Sequence, residues 1–510
     1  MFKRIYSAFF SLCVVFGILI VNIGLIMTGI GDFSVSETQG TRSFLLSSSR
    51  GMIYDRNMKK IVNNEEKKFA VSLPEGIDSK PDISAVDKDF SENHIKSVSL
   101  FNRYSPAQPC VHLIGHLDEN GVGVMGLEKA YENYLRMQGG EIRAVWSVDA
   151  LGNTLLGEGL TIKNENYMSQ AGIQLTIDLR IQEIAEKSLI NNNIDRGAVV
   201  ILDSDTNEVL AMASAPIFDP DNLGKSMNDE ALPFLNRAIT PYSVGSVFKP
   251  FLASVAIENN ISLDYECLGS IEIGNTRFKC SNNTSHGMAD MNSAMENSCN
   301  TYFIALGQEL GCEKILSLSS DFGLGKSLEL ADNFALKSGQ LPTSDSITSP
   351  QALANLSFGQ GELLASPLQM AVAYSVFANG GFYRPPTLMK GIIDENGNTV
   401  QKVNLPEKYR IINEDTARQI DTILQNVVTN GNGRKAFSFI TSNHGKTATA
   451  QSGWYEDGRE INHTWFCGYF TANDKTYTVA IFKEDGISGA NDCAPVFKEI
   501  SENVVNTVLQ

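Results

Sequence analysis

The chain has 510 residues, 43% of them hydrophobic and 19% charged, a composition that describes folded domains and excludes a disordered polymer. Its length predicts two or more domains. The 41 basic and 58 acidic residues give a net charge of −17, which argues against nucleic acid as a partner, because phosphate binding needs clustered Lys and Arg.

The cysteines and histidines form no familiar metal motif. The eight cysteines contain no Cys-x-x-Cys pair, so the sequence predicts neither a zinc site nor a cofactor. Cys267 and Cys280 could form a disulfide if this part of the chain lies outside the membrane, and the sequence leaves that pairing open. His444 and His463 stand near predicted strands, and we interpret both as structural or binding residues.

An apolar segment follows a short basic start. Lys3 and Arg4 precede residues 5–31, which carry no charge, and about 20 apolar residues are enough to span a membrane. The segment is too long for a usual signal-peptide core and no clear small-x-small cleavage site follows it. We therefore expect an uncleaved single-pass anchor, with residues 1–4 in the cytoplasm and the rest outside. A cleaved signal peptide is the alternative.

Two soluble regions are expected after the anchor. Residues 32–165 contain no pair with the spacing of a nucleophile and its base, and we interpret them as a packing domain. Residues 166–510 open with a helix that Asp178 can cap, then a hairpin with strands at 198–202 and 209–213. A helical block leads to predicted strands at 445–450, 464–470 and 477–482 and a last helix at about 495–509. This order indicates an α+β domain, an antiparallel sheet with helices packed on it.

The chemistry is expected around Ser246 and Lys249, three residues apart at the start of the apolar run 251–257. Positions i and i+3 share one face of a helix, so the lysine amine can reach the serine hydroxyl. A serine hydroxyl needs an adjacent base, and a lysine can be that base if burial or a nearby cation lowers its pKa. Alone, this spacing also arises from a surface serine and lysine on an ordinary helix.

Two further motifs follow in order along the chain. Residues 298–300 read Ser-Cys-Asn, near the start of a helix predicted over 293–310. Residues 446–449 read Lys-Thr-Ala-Thr, which is close to Lys-Thr-Gly. Together with Ser-x-x-Lys, this ordered trio is the signature of penicillin-binding proteins and class A β-lactamases.

With these motifs the chain resembles the class B (monofunctional) penicillin-binding proteins over nearly its whole length. The other matching pieces are Arg50-Gly51 with Ile53–Asn57, Gly123–Glu128, Asn236–Ala238, His286-Gly287, Phe358–Gly361, Pro367–Gln369 and Trp465–Gly468. The resemblance implies a transpeptidase fold, with a five-stranded antiparallel sheet between helical groups and the active site at the sheet edge. It also implies an N-terminal transmembrane helix, a dimerisation-type pedestal domain over 32–165 and a penicillin-binding domain over 166–510.

The resemblance implies a peptidoglycan stem peptide ending in D-Ala-D-Ala as the substrate. Ser246 would attack the carbonyl of the penultimate D-Ala and form an acyl-enzyme, while Lys249 takes its proton. Ser298 and Asn300 would complete the proton path and bind the substrate amide. β-Lactams would imitate the D-Ala-D-Ala amide and trap Ser246.

The last motif would bind the substrate. Lys446 is expected to attract the substrate carboxylate and to help keep the lysine base neutral, and the hydroxyls of Thr447 and Thr449 are expected to hold that carboxylate. By family analogy the backbone N–H groups of Ser246 and Thr449 form the oxyanion hole. The family usually has glycine where this chain has Ala448, a departure that bears on β-lactam affinity and rate.

Two other functions compete with a transpeptidase. A D,D-carboxypeptidase or β-lactamase would use the same nucleophile and release the acyl-enzyme to water. A scaffold of a wall-synthesis complex would need no chemistry. Family analogy also suggests a partner, a membrane glycosyltransferase of the shape, elongation, division and sporulation type.

Overall fold

The computed structural model describes residues 2–28, 40–77, 79–149, 151–331, 334–336, 338–456 and 458–508. Its helices are α1 (Phe2–Thr28), α2 (Val111–Ile114), α3 (Gly126–Ala130), α4 (Glu132–Met137), α5 (Leu179–Asn191), α6 (Lys249–Glu258), α7 (Met291–Glu296), α8 (Asn300–Leu310), α9 (Cys312–Asp321), α10 (Pro350–Ser357), α11 (Pro367–Ala378), α12 (Glu414–Thr429), α13 (Gly489–Asp492) and α14 (Ala494–Val508).

The strands of the first 250 residues are β1 (Thr41–Ser48), β2 (Met52–Tyr54), β3 (Glu65–Ser72), β4 (Asp82–Ala85), β5 (Ser91–Glu92), β6 (Ile95–Asn102), β7 (Glu141–Ser147), β8 (Leu160–Glu165), β9 (Gly172–Leu175), β10 (Gly197–Asp203), β11 (Val209–Ala215) and β12 (Tyr242–Ser243). The remaining strands are β13 (Tyr265–Cys267), β14 (Ser270–Ile273), β15 (Thr276–Lys279), β16 (Gly287–Ala289), β17 (Glu329–Ala331), β18 (Phe334–Ala335), β19 (Leu364–Ala365), β20 (Phe382–Tyr383), β21 (Met389–Ile393), β22 (Thr399–Lys402), β23 (Tyr409–Arg410), β24 (Ser442–Glu456), β25 (Arg459–Ala472) and β26 (Lys475–Lys483).

Helix α1 contains the apolar stretch predicted at the N-terminus. Ile5–Ile23 has a mean hydropathy of 2.2 over 19 residues and is exposed along its whole length, which is long and apolar enough to cross a membrane. The prediction of such a helix is confirmed. Residues 29–31, the end of the expected anchor, lie outside the described residues.

The chain divides into two compact units. The smaller one consists of Met1–Arg50, Glu65–Arg103 and Gly139–Ser169, and the larger one of Gly51–Asn64, Tyr104–Gln138 and Gln170–Gln510. Residues 51–64 and 104–138 therefore pack with the larger unit, although the sequence groups them with the first soluble region. The functional division of the chain at 165/166 stays a prediction, and residues 32–39 lie outside the described residues.

The smaller unit holds two antiparallel sheets, in strand orders β1-β7-β8 and β4-β3-β6-β5. Strand β7 alternates between buried and half-buried residues, as expected for a strand that covers a core with one face. Its buried side chains, Ile142, Ala144 and Trp146, pack in one cluster with Val71 and Val98.

The larger unit is built on a five-stranded antiparallel sheet in the order β11-β10-β26-β25-β24. The predicted hairpin forms β10 and β11, and the three later predicted strands form β24, β25 and β26. The predicted α+β fold with this sheet between helical groups is confirmed. Because β24 lies at the edge, one row of its backbone groups is not used within the sheet.

Side-chain alternation along β25 gives the sheet two buried faces. Trp465 and Cys467 belong to one hydrophobic cluster, which includes residues of α6 and α11. Phe466 and Phe470 belong to a second cluster, which includes residues of α5 and α14. A strand buried on both faces carries hydrophobic residues at successive positions, and this one lies between two helical layers.

Local signals placed several helices correctly. Asp178 accepts a hydrogen bond from the Arg180 N–H and caps α5, and Ser366 and Gln369 form the capping box of α11. The last helix is described as far as Val508, and Leu509, its expected end, lies outside the described residues.

One helix prediction is wrong. The helix predicted over 293–310 is two helices, α7 and α8, separated by a break. Ser298 has φ of 53° at this break, a left-handed conformation that an α-helix cannot accommodate. The break falls within the polar stretch 296–300.

Candidate active site

Ser246 lies in a tight turn at the start of helix α6. Residues Gly245–Phe248 form one turn of 3-10 helix, and the backbone N–H of Lys249 donates to the Ser246 carbonyl. Side chains at i and i+3 of a 3-10 helix eclipse each other, so the turn carries Ser246 and Lys249 on the same side. Ser246 is partly exposed and Lys249 is fully buried. The hydrogen bonds of the Lys249 amine go to Ser298 and Asn300, and its contact with the Ser246 hydroxyl stays a prediction.

Glycine at 245 is required by the geometry of this turn. Gly245 has φ of 60°, and a Cβ atom there would come within 2.9 Å of the Ala450 Cβ. Its N–H donates to the carbonyl of Gly359 at 2.8 Å, and the Trp465 indole N–H donates to the carbonyl of Ser243 at 3.0 Å. The nucleophile turn is thus fixed against both the sheet and a neighbouring loop.

Lys249 contacts the second motif directly. Its Nζ lies 2.8 Å from the Ser298 carbonyl oxygen, 2.7 Å from Asn300 Oδ1 and 3.2 Å from Ser298 Oγ. The left-handed conformation of Ser298 makes this possible, because the break between α7 and α8 turns both its carbonyl and its hydroxyl toward the amine. A neutral amine can donate to the two carbonyl-type oxygens and still hold its lone pair for a proton.

Burial sets the ionisation of this amine. Loss of hydration lowers the pKa of Lys249 from its usual 10.5 to about 7, against a weaker raising effect from Cys299 and Cys280. An amine with a pKa near 7 is divided about equally between the charged and neutral forms at neutral pH. Lys249 therefore meets the requirement for a general base at physiological pH.

Lys446 is the second buried amine of the site. Its side chain is fully buried and its Nζ donates to the Thr447 carbonyl at 3.0 Å. Burial, and then repulsion from Lys249, lower the pKa of Lys446 well below its usual range. Because the two amines interact, their protons are lost in steps that belong to the pair. Burial of Lys249 itself is the main cause of its lowered pKa, and the expectation that Lys446 helps to keep Lys249 neutral stays a prediction.

The methyl group of Ala448 points toward the nucleophile turn. Ala448 is 3% exposed, and its Cβ lies 3.5 Å from the position that a Cβ on Gly245 would take. The methyl group therefore fills the space between β24 and the turn that carries Ser246.

A cavity of about 620 Å³ joins the three motifs. Its lining includes Ser246, Ser298, Asn300, Thr447, Ala448 and Thr449. Lys249 lies behind this lining through its contacts with Ser298 and Asn300, and Lys446 lies behind it next to Thr447. The structure thus brings together all the residues that the sequence identified.

Sequence reasoning missed two polar contacts of the threonines. The Thr447 hydroxyl donates to Asn432 Oδ1 at 3.0 Å, and the Gly489 N–H donates to the Thr449 hydroxyl at 3.4 Å. Asn432 lies in the loop after α12 and Gly489 is the first residue of α13, and because neither segment carries a motif, no local signal could have identified them. They orient the two hydroxyls at the cavity.

Three cysteines and a histidine meet beside the cavity. The ligand atoms of Cys267, Cys280, His286 and Cys299 all lie within 4.8 Å of one another, and Cys280 and His286 also line the cavity. The thiols of Cys267 and Cys280 are free and 3.7 Å apart, so the disulfide that the sequence left open is absent from this structure. This cluster is the group of described residues that could hold a metal ion.

Comparisons with known proteins agree with this geometry. The penicillin binding protein transpeptidase domain family matches residues 197–502. Stage V sporulation protein D of Bacillus subtilis is 30% identical over 388 residues, which cover 72% of this chain and 58% of that protein. The peptidoglycan D,D-transpeptidase MrdA of Haemophilus influenzae is 27% identical over 429 residues, covering 76% and 63%.

The fold is also found among solved structures. A chain of a peptidoglycan synthase complex matches with a TM-score of 0.72 at 22% identity and covers 98% of both chains. The present chain spans about six-tenths of the length of the two curated relatives above. Because the family model covers more than half of the chain and its three motifs meet at one cavity, the chain belongs to the penicillin-binding protein transpeptidase family.

Proposed function

We propose that this protein is a serine D,D-transpeptidase that cross-links peptidoglycan stem peptides and is acylated by β-lactams. One observation carries the proposal: a buried lysine with a pKa of about 7 follows Ser246 by one turn and contacts Ser298 and Asn300. This arrangement supplies a nucleophile, a base and a proton path within one cavity.

In the proposed acylation step, the Ser246 oxygen attacks the carbonyl carbon of the penultimate D-Ala and its proton passes to the Lys249 amine. The resulting tetrahedral oxyanion is stabilised by the backbone N–H groups of Ser246 and Thr449, and one such donor is typically worth about 10² to 10³ in rate. Collapse breaks the amide C–N bond. The proton reaches the leaving D-Ala amine through the Ser298 hydroxyl, which lies 3.2 Å from the Lys249 amine.

In the second step, the amine of a neighbouring stem peptide attacks the Ser246 ester. Lys249 accepts a proton from that amine, the C–O bond breaks, and the serine oxygen regains a proton. Bound substrate would lie along β24, because an edge strand has backbone groups that can pair with an extended peptide. The Thr447 and Thr449 hydroxyls would hold its carboxylate, and the bound carboxylate would in turn favour the protonated, charged form of Lys446.

The proposed location follows from helix α1. We infer that α1 anchors the protein once in the cell membrane, with Lys3 and Arg4 inside and the transpeptidase unit outside, where peptidoglycan lies. A membrane glycosyltransferase of the shape, elongation, division and sporulation type is the proposed partner. The match to a chain of a peptidoglycan synthase complex supports that choice by fold alone.

Labelling with fluorescent penicillin tests the proposal. The label is expected to form on the wild-type chain and to persist for hours, and Ser246→Ala should carry none. Rapid loss of the label with release of hydrolysed penicillin would indicate a β-lactamase instead. With a D-Ala-D-Ala peptide and an acceptor amine, a cross-linked product supports the transpeptidase, whereas free D-Ala without that product indicates a carboxypeptidase.

The scaffold alternative is tested in cells that depend on this protein. A scaffold without chemistry predicts that Ser246→Ala sustains growth as well as the wild-type protein does. The transpeptidase predicts that Ser246→Ala fails to sustain growth although the variant reaches the same level in the membrane fraction.

A further inference from the structure

We propose that Cys267, Cys280, His286 and Cys299 bind one structural zinc ion beside the active site. The Cys280 sulfur lies 3.7 Å from the Cys267 sulfur and 3.8 Å from the Cys299 sulfur. The Nδ1 atom of His286 lies 3.3 Å from the Cys267 sulfur. All four ligand atoms fall within 4.8 Å of one another.

The three shortest of these separations, 3.7, 3.8 and 3.3 Å, match the edges of a zinc tetrahedron. The remaining pairs, within 4.8 Å, would have to close by at most about 1 Å on binding. Zn–S bonds of about 2.3 Å at the tetrahedral angle put neighbouring sulfurs about 3.8 Å apart, and a Zn–N bond of about 2.0 Å gives an S···N edge of about 3.5 Å. Three cysteines and one histidine are also a ligand set that structural zinc sites use. A disulfide would instead require sulfurs about 2.0 Å apart.

The backbone holds the four ligands in place without the metal. Cys267 pairs with Gly287 in the β13–β16 ladder, which brings the preceding His286 next to it. The Cys280 N–H donates to the Gly269 carbonyl at 2.9 Å, just after strand β13. Cys299 is the N-terminal cap of α8, where the helix dipole favours a thiolate. The site is therefore assembled by three separate chain segments.

The surroundings of the sulfurs suit thiolates. The hydroxyl of Thr301, a fully buried residue, donates to the Cys267 sulfur at 3.2 Å, and the Tyr302 N–H donates to the Cys299 sulfur at 3.5 Å. Hydrogen bonds of this kind orient metal ligands and stabilise their charge. Cys267, Cys280 and Cys299 are all buried, so a metal there would be shielded from water except on the side where Cys280 and His286 line the cavity.

The position of Cys299 connects the metal site to the active site. Cys299 stands between Ser298 and Asn300, the two residues that contact Lys249. Cys280 follows Lys279, whose carbonyl accepts a hydrogen bond from the Asn300 amide at 3.1 Å. A bound zinc ion would thus fix the strained Ser298 backbone and the neighbouring wall of the cavity. That consequence rests on the proposed function, whereas zinc binding itself does not.

Metal content of the full chain, purified in detergent without chelators, tests the proposal. Plasma mass spectrometry should find about one zinc ion per chain in the wild type, the stoichiometry of a single four-ligand site. Cys280→Ser and Cys299→Ser should lose most of that zinc. Cys312→Ser, a partly exposed cysteine outside the cluster, is the matched control and should retain it.

Two measurements on the wild-type chain cover the case in which a cysteine variant fails to fold. Replacement of zinc by Co²⁺ should give the visible absorption of tetrahedral cobalt and a sulfur-to-cobalt charge-transfer band. Removal of the metal by a chelator should lower the Tm, and Zn²⁺ but not Mg²⁺ should restore it. The proposal would be overturned if the wild-type chain, supplied with excess Zn²⁺, bound no metal. A Cys267–Cys280 disulfide in non-reducing peptide maps would also overturn it.

Discussion

The variant Asn300→Asp examines the electrostatics of Lys249 most closely. In the wild type, burial brings the pKa of this amine to about 7, so the rate of β-lactam acylation should rise with pH around 7 and level off above 8. Asn300 Oδ1 lies 2.7 Å from the Lys249 Nζ, so the variant would place a carboxylate in direct contact with the amine.

The size of the effect follows from that contact. An opposite charge within about 4–6 Å shifts a pKa by about 1–3 units toward the charged form, so the midpoint should move from about 7 to between about 8 and 10. At pH 7 the neutral fraction of Lys249 then falls from about one half to about one tenth or less, and acylation slows by at least about fivefold. Raising the pH should restore the rate of the variant.

The assay is the second-order rate constant of acylation by a chromogenic β-lactam, measured from pH 5.5 to 10. Asn297→Asp is the control, because Asn297 lines the same cavity but is exposed and bonds the Ser293 carbonyl. Its midpoint should stay within about half a pH unit of the wild type, since water and salt screen an exposed charge. A loss of rate in Asn300→Asp that higher pH does not repair would refute the assignment of Lys249 as the base.

Three further predictions concern the nucleophile turn, the stability cost of burying Lys249, and the buried ion pair of Arg237 and Glu484. Gly245→Ala should slow acylation at least about tenfold, because residue 245 has φ of 60° and an added Cβ would lie 2.9 Å from the Ala450 Cβ. The control is Gly224→Ala, where an added Cβ has no atom within 4 Å, and its acylation rate should stay within about twofold of the wild type. Lys249→Met should be more stable than the wild type, most of all below pH 7. The pKa of Lys249 is about 7 in the folded protein, below its usual 10.5, so the wild type bears the full cost of burying the charged amine below pH 7. That cost declines as the pH rises. In urea unfolding, the stability advantage of Lys249→Met over the wild type should shrink by about 2 kcal/mol between pH 7 and 9. Arg237→Met should lower the free energy of unfolding by about 3–5 kcal/mol, because the fully buried Arg237 pairs with Glu484 at 2.8 Å, and adding Glu484→Gln should recover part of that loss.

Local chemistry made much of the fold predictable from the sequence. The capped helix after Asp178, the hairpin of β10 and β11 and the capping box at Ser366 all depend on residues a few positions apart. The three catalytic motifs were also visible, because each is a short pattern. That the three motifs meet at one cavity could be expected only from the family resemblance, because no local pattern predicts contacts between distant segments.

Features that depend on distant contacts were not predictable. The break at Ser298 is stabilised by contact with Lys249, which lies 49 positions earlier in the chain. The local sequence around Ser298 therefore cannot reveal it. The metal-binding cluster has no Cys-x-x-Cys spacing to reveal it, because Cys267, Cys280 and Cys299 converge from separate segments. The packing of residues 51–64 with the larger unit likewise depends on strand β2 pairing with β9, far along the chain.

Peptide mass spectrometry after penicillin treatment tests the central claim most directly. The wild-type chain is expected to gain the mass of one intact drug molecule, carried on the peptide that contains Ser246, and Ser246→Ala should gain none. An unmodified Ser246 peptide in folded protein, or an adduct on another residue, would contradict the account of this serine as the nucleophile.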